Sequence, residues 1–279
     1  MAVDYVRVVA PQQDAQSQGA RREIDTSVPH IARVYDYWLG GTSNYESDRQ
    51  AAARAAEANP VILHGVHGNR AFLARAVRYL AAEAGIRQFL DIGSGIPDKG
   101  NTHQVAQAVA PQSRVVYVDN DPVVLDAADR LLAGSSHGIA YLDADARDVA
   151  TIISQASRTL DFSQPVAVLL IAVLHCLPDE DDPWGVVARL AAAAAAGSYV
   201  ALTHPSFDWD PGRAAAGVAR LNTVLAQRLT YRPREQVLRF FDGLEVVPPG
   251  LVRAPEWRPD SDADAANPAG MWGGVAARR

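Results

Sequence analysis

The sequence predicts a doubly wound α/β fold preceded by a block of helices. After Gly85, short apolar runs alternate with longer stretches of helical periodicity, the pattern of βαβ units around a parallel sheet. Before Gly85 the spacing is helical and no strand signal occurs. The chain is also large enough to bury a sizeable core without disulfide or metal staples, with 279 residues of which 48% are hydrophobic.

Residues 1–24 mix Gln, Ser, Asp and Arg without a sustained period and read as a loose tail. From Ser27 the apolar positions Ile31, Val34, Tyr35, Trp38 and Leu39 keep helical spacing until Gly40-Gly41 stops it. Further helices are expected over Tyr45–Glu57 and Val66–Ala82, the second with Phe72, Leu73, Ala76, Val77 and Leu80 on one side. Residues 25–84 are therefore read as an N-terminal helical cap and 85–279 as the sheet domain. Strands are expected over Gln88–Ile92, Arg114–Val118, Ile139–Leu142, Val166–Ala172 and Tyr199–Thr203. Helices between them are expected over Thr102–Val109, Pro122–Leu132, Val149–Gln155 and Pro183–Ala195. Beyond the fifth strand, Arg213–Leu229 and Arg234–Phe241 read as helical, and Leu244–Val247 and Met271–Ala276 as two final strands separated by a Pro/Asp-rich loop, Pro255–Pro268.

The charge balance narrows the function classes. With 26 basic and 32 acidic side chains, a net charge of −6 and Lys99 as its single lysine, the chain does not offer a nucleic-acid surface. The single cysteine, Cys176, cannot form an internal disulfide, and the start lacks the basic-then-apolar run of a secretory signal, so a cytoplasmic location is expected. The longest alanine-rich apolar run, Leu190–Ala196, falls far short of the ~20 residues that span a membrane.

The most informative stretch is Phe89-Leu90-Asp91-Ile92-Gly93-Ser94-Gly95-Ile96-Pro97, an apolar strand running into a glycine turn and then a helix. Such a turn at the carboxyl end of a parallel strand lets a ligand approach the backbone. A dinucleotide fingerprint would need glycine where Asp98 stands, and a carboxylate there repels a pyrophosphate, which counts against NAD(P). Asp91, ahead of the first glycine, suits a cationic amine instead. The second strand ends in Val118-Asp119-Asn120-Asp121-Pro122, where Asp119 can accept both hydroxyls of a ribose and Asp121 can cap the next helix. The third ends in Leu142-Asp143-Ala144-Asp145-Ala146, where Asp145 either accepts from an adenine amino group or belongs to a solvated acidic loop.

These three strand ends resemble the first three motifs of class I S-adenosylmethionine-dependent methyltransferases. A wider set, Pro29-His30-Ile31-Ala32-Arg33-Val34-Tyr35-Asp36-Tyr37, Leu39-Gly40-Gly41, Asn44-Tyr45, Asn69-Arg70-Ala71-Phe72 and Val173-Leu174-His175, resembles the S-adenosyl methyltransferase family of uncharacterised substrate. The resemblance extends from about residue 24 to near the end. It implies a Rossmann-like, doubly wound, seven-stranded sheet with the last strand inserted antiparallel. It also implies S-adenosyl-L-methionine as cofactor, held by Asp91, Gly93, Ser94, Gly95, Asp119, Asn120, Asp145, Ala146 and Ala172. Where that superfamily often carries a third glycine this chain has Pro97, which stiffens the turn and removes one N–H donor.

The fourth strand brings His175 to the same rim. It reads either as a general base on a hydroxyl or amine, or as a ring packed against the adenosine or bonded to a backbone carbonyl. Cys176 beside it reads as a small core residue. No Asn/Asp-Pro-Pro-aromatic motif stands there, which argues against methylation of nucleic-acid bases by that arrangement. In the cap, Tyr35, Trp38 and Tyr45 can form an aromatic wall beside a sulfonium or simply a packed helix face. Asp36 and Tyr37 lie off that stripe and are expected to make polar contacts, while Arg33 and Arg70 are candidates for a cofactor carboxylate or an acidic substrate. No metal is expected: His30, His64, His67, His103, His137 and His204 show no ligand spacing, and His64 and His67 are read in a glycine-flanked loop. The acid run Asp179–Asp182 reads as a cap and charge complement for the helix at Pro183.

The sequence thus points to an S-adenosylmethionine-dependent methyltransferase of a small molecule, at oxygen or nitrogen. The alternatives are a non-catalytic S-adenosylmethionine-binding module and, behind it, an NAD(P)-dependent oxidoreductase.

Overall fold

The computed structural model describes residues 24–132 and 138–279. The expected tail, apart from Ile24, and His137 lie outside the described residues. The chain opens with three helices, α1 (Ile31–Trp38), α2 (Glu46–Ala58) and α3 (Ile62–Ala82). α1 ends where Leu39 is followed by Gly40 at φ +79°, a left-handed stop. α3 begins four residues earlier than the periodicity predicts and takes in His64 and His67, which therefore sit on a helix and not in a loop. The glycines that suggested a loop serve packing: a Cβ on Gly68 would lie 3.1 Å from Ala269 and 3.3 Å from Pro255, so its absence lets the C-terminal segment close on α3.

The sheet domain follows as β1 (Gln88–Ile92), α4 (Thr102–Val109), β2 (Arg114–Asp119), α5 (Pro122–Leu132), β3 (Ile139–Asp143), α6 (Val149–Ala156), β4 (Ala167–Ile171), α7 (Pro183–Ala193) and β5 (Tyr199–Pro205). These five strands are parallel, in spatial order β3-β2-β1-β4-β5, so the winding reverses between β1 and β4. A ligand crevice is expected at that reversal, beyond the carboxyl ends of the strands. Side chains alternate between two buried layers. Leu90, Ile92, Val118, Leu142 and Leu170 pack on one face, and Phe89, Val115, Tyr117 and Leu169 on the other together with Phe72 and Leu80 of α3. Both faces are covered, which is why the strands read as continuous apolar runs.

The chain completes the fold with α8 (Pro211–Asn222), α9 (Arg234–Leu238), β6 (Glu245–Val246), β7 (Val252–Arg253), α10 (Asp262–Ala265) and β8 (Met271–Ala277). β8 inserts antiparallel between β5 and the edge, as the family resemblance implied. That edge is split: β6 and β7 each pair with β8, giving eight strands instead of seven, because Pro248, Pro249 and Gly250 interrupt the ladder between them. α8 ends at Asn222, not Leu229, since the Asn222 side chain bonds both the N–H and the carbonyl of Leu229 and turns the chain back. The expected loop 255–268 contains α10 and supplies the fully buried Trp257, edge-on to Phe72 at 5.4 Å and to Tyr79 at 5.7 Å. A third apolar cluster joins α1 and α2 to α8 through Val34, Trp38, Ala52, Ala55, Val218 and Leu221. It seats the N-terminal helices beside the β5 end of the sheet.

Candidate functional site

The ends of β1 to β5 open into one cleft of about 440 Å³, roofed by α1 and α3. Its floor is the turn after β1. Gly93 and Gly95 adopt φ +70° and +66°, a region that L side chains rarely enter. The two glycines serve different ends. A Cβ on Gly93 would sit 2.3 Å from Val173 Cγ2, so this glycine allows the turn to pack on the β4 end, whereas a Cβ on Gly95 would meet nothing. The turn is tied to β2 by Gly93 and Ser94 N–H groups donating to the Val118 carbonyl.

Asp119 closes the other side of the turn. One carboxylate oxygen accepts the Gly95 N–H at 2.9 Å and the other the Asp121 N–H at 3.0 Å, leaving lone pairs free on both. Burial raises its pKa against the pull of these two backbone bonds. Asp91, 5% exposed, points to the face of Phe89 and accepts the Thr102 hydroxyl at 2.6 Å. Burial lifts its pKa to about 6, while the Thr102 bond and the Arg70 charge oppose the shift. Asp121 caps α5 through the Val123 N–H at 2.8 Å, as expected, and also meets His30 Nδ1 at 2.7 Å. Its burial is outweighed by His30, the Val123 N–H and Arg33, so its pKa lies below the ordinary value. Asp145 lines the cleft but is gripped by Arg147 through both oxygens, and Arg147 bonds Asp181 in turn, which holds the Asp145 pKa low.

At β4 the chain leaves the sheet through Ala172 at φ +53°, whose N–H donates to the Thr203 hydroxyl. That hydroxyl donates to Asn69, and the Asn69 amide donates to Tyr35, whose own hydroxyl reaches the Val66 carbonyl. This relay fixes the roof to the strand ends. His175 lines the cleft and is 7% exposed. Nδ1 is enclosed without a partner, which leaves Nε2 as the ring nitrogen with access to the cleft. Burial first, and the nearby Arg232 charge second, lower its pKa to about 4, so the ring is neutral at neutral pH. Cys176 is buried with its thiol pushed up to about 12, as suits a packing residue.

The profile of the S-adenosyl methyltransferase family matches residues 17–279. The chain belongs to that family. It is accordingly an S-adenosylmethionine-dependent methyltransferase. Among solved structures it is similar to a DUF574 family protein from Streptomyces avermitilis, at 40% identity with 92% of this chain and 100% of the other covered and a TM-score of 0.88. It is also similar to a protein from Thermobifida fusca, at 39% identity, 91% and 97% coverage and a TM-score of 0.85. An O-methyltransferase family protein from Burkholderia thailandensis shares the fold at 14% identity, covering 90% of this chain and 64% of that one, with a TM-score of 0.53. No curated protein matches the chain.

The residues present fit the methyltransferase cofactor. Ser94 Oγ is buried without a partner in the glycine turn, the space beside Gly95 is open, and Asp119 has unused acceptor capacity next to both. Of the residues singled out from sequence, Asp91, Gly93, Ser94, Gly95, Asp119, Asn120, Asp145, Ala146, Ala172, His175, Tyr35, Trp38 and Arg70 all line the one cleft. Three others do not. Tyr37 is 40% exposed on the outer side of α1, one residue and about 100° round the helix from Asp36. Arg33 is buried beneath α1, where it donates to the Asp25 and Val28 carbonyls and lies 3.6 Å from Asp121 and 3.7 Å from Asp48. Tyr45 starts α2 under the Arg33 guanidinium and so adds nothing to the aromatic wall.

Sequence reasoning missed Asn69 as a connector and Arg232 altogether. Arg232 is fully buried, donates to the Leu174 and Leu177 carbonyls and to Asp179, and lies over the Trp184 ring. Leu174, Leu177 and Asp179, which accept its hydrogen bonds, are more than 50 residues away, so no local pattern announces it. Among the described residues no group of His, Cys, Asp and Glu could hold a metal ion, and no helix is long and apolar enough to cross a membrane.

Proposed function

We propose that this methyltransferase acts on a small molecule, at oxygen or nitrogen, held inside the cleft. The observation that supports it most is that a single roofed cavity holds both the glycine turn with Asp119 and the open nitrogen of His175. A roofed space of about 440 Å³ suits an enclosed acceptor better than a polymer, and the net charge of −6 disfavours nucleic acid. Residues 25–84 serve as the cap of the sheet domain, 85–279, and the buried lone Cys176 suits a reducing compartment such as the cytoplasm.

When bound, S-adenosylmethionine supplies an electrophilic methyl group, and displacement by an acceptor lone pair leaves neutral S-adenosylhomocysteine and one proton to remove. In this reading Asp91 meets the cofactor's amine and Arg70 its carboxylate. Gly93, Ser94 and Gly95 back the amino-acid portion, Asp119 with Asn120 takes the ribose, and Asp145 with Ala146 borders the adenine. Ala172 shapes the cleft at the β4 end. Neutral His175 receives the acceptor's proton at Nε2 and passes it to water, while Tyr35 and Trp38 help exclude solvent.

Parallel calorimetric titration with S-adenosylmethionine, S-adenosylhomocysteine and NADH tests the cofactor reading. Binding of the two sulfur nucleosides alone is expected, and binding of NADH alone would overturn it. His175→Ala should lower turnover at least ~tenfold while S-adenosylhomocysteine affinity stays within about twofold. Equal turnover in the two forms would make the ring structural.

A further inference from the structure

The cleft has two chemically different halves. The β1–β2–β3 side carries Asp91, Asp119 and Asp145 around the glycine turn, whereas the side beyond β4 is walled by Trp38, Ile62, Leu221, Leu229, Tyr231 and Met271. The charged side chains that border this second half already have protein partners. Asp36 accepts the Ser43 N–H and the Asn44 amide, Asp210 caps α8 through the Arg213 N–H, and Arg253 pairs with Glu256. Two of the polar groups are committed as well: Gln227 donates to the Cys176 carbonyl, and the Tyr35 hydroxyl bridges Asn69 and Val66. His175 adds a neutral ring with one open nitrogen.

We infer that this half is the acceptor subsite and that it takes an uncharged, mainly apolar, ring-bearing hydroxy compound of the phenol type, its hydroxyl on His175 and its ring against the apolar wall. The inference rests on the methyl-transfer reading above and names the class of acceptor for it. A carboxylate enclosed here would lose its hydration and meet no free cation, since Arg253 is paired with Glu256, and an ammonium would have to compete with Ser43 and Asn44 for the Asp36 oxygens. An apolar ring gains by leaving water. Its single hydroxyl would be costly to bury unpaired, and His175 Nε2 meets that need.

The test uses a matched set of probes on one bicyclic skeleton, 2-naphthol, 2-naphthoate and 2-naphthylmethylamine, titrated at neutral pH into the full chain saturated with S-adenosylhomocysteine. The expected result is naphthol binding at least ~tenfold tighter than either ion. Leu229→Glu should weaken naphthol at least ~tenfold and leave S-adenosylhomocysteine affinity within about twofold. Equal or tighter binding of either ion, or no naphthol binding to the saturated protein, would overturn the acceptor class and leave the methyltransferase reading standing. Failure of that reading would show earlier, as absence of S-adenosylhomocysteine binding. The probe comparison needs no variant, so it decides the question even if Leu229→Glu does not fold.

Discussion

Replacing Asp91 by Asn should make the ligand-free protein more stable and the cofactor complex weaker. The carboxyl group is 5% exposed and its pKa is raised from 3.8 to about 6, chiefly by burial. Because the folded-state value exceeds the unfolded one, its favourable contribution is complete below the unfolded value and is lost as pH rises through about 6. At neutral pH the ionised carboxylate then costs the fold up to about 3 kcal/mol. Asparagine matches it in shape and keeps an oxygen for the Thr102 hydroxyl, which donates at 2.6 Å. Asp91→Asn should therefore raise the melting temperature of the free protein by up to roughly 5 °C at neutral pH, with little gain in acid. Binding moves the other way. Loss of a charged hydrogen bond to the cofactor's amine should weaken S-adenosylhomocysteine by about ten- to a hundredfold. 5′-Methylthioadenosine carries the same nucleoside but no amino acid, and its affinity should hold within about twofold. Thermal unfolding and calorimetry on the two proteins read both effects. A lower melting temperature, or equal weakening of both ligands, would refute the placing of Asp91 at the amine.

Three further substitutions probe the turn itself. Asp119→Ala removes the acceptor of the Gly95 and Asp121 N–H groups as well as the proposed ribose contact, so S-adenosylhomocysteine binding should fall by ~1–3 kcal/mol and stability by about as much; unchanged affinity in calorimetry would remove the ribose assignment. Gly93→Ala, whose Cβ would lie 2.3 Å from Val173 at φ +70°, should cost about 2–4 kcal/mol of stability in denaturant unfolding. Gly95→Ala, with open space around it, should cost only about 1 kcal/mol yet lower cofactor affinity, and wild-type binding by that variant would mean the cofactor does not approach the turn there.

The strands and their connecting helices were legible because their signals are local. Thr102–Val109 and Pro122–Leu132 match residue for residue, the first following Asn101 at the N-cap and the second following Asp121 with Pro at its start. The acids at the ends of β1, β2 and β3 were legible for the same reason, since each lies in the last residues of a strand or just beyond it. Side-chain direction was not. Tyr37 and Asp36 are adjacent in sequence, and only the packing of α1 on α2 and α3 decides which one faces the cleft. Leu225 and Leu229 continue the spacing of α8 and are buried, but the Asn222 side chain folds them back as a loop. Arg232 and Trp257 take their places through partners on distant elements, and a window of a dozen residues holds no trace of either.

The N-terminal helices and the glycine turn are joined by hydrogen bonds on both sides of the cleft. On one side His30 meets Asp121, the Asp121 N–H donates to Asp119, and Asp119 accepts the Gly95 N–H. On the other, Ala172 N–H, Thr203, Asn69 and Tyr35 form a continuous line from the β4 end to α1. Each link lies between 2.6 and 3.0 Å. Asp121 therefore does two things with one carboxylate: it starts α5 and anchors the residue ahead of α1. The roof is thereby registered to the same strand ends that shape the turn. A change in α1 that shifts His30 or Tyr35 reaches Gly95 or Ala172 through bonded groups, without touching the floor of the cleft directly.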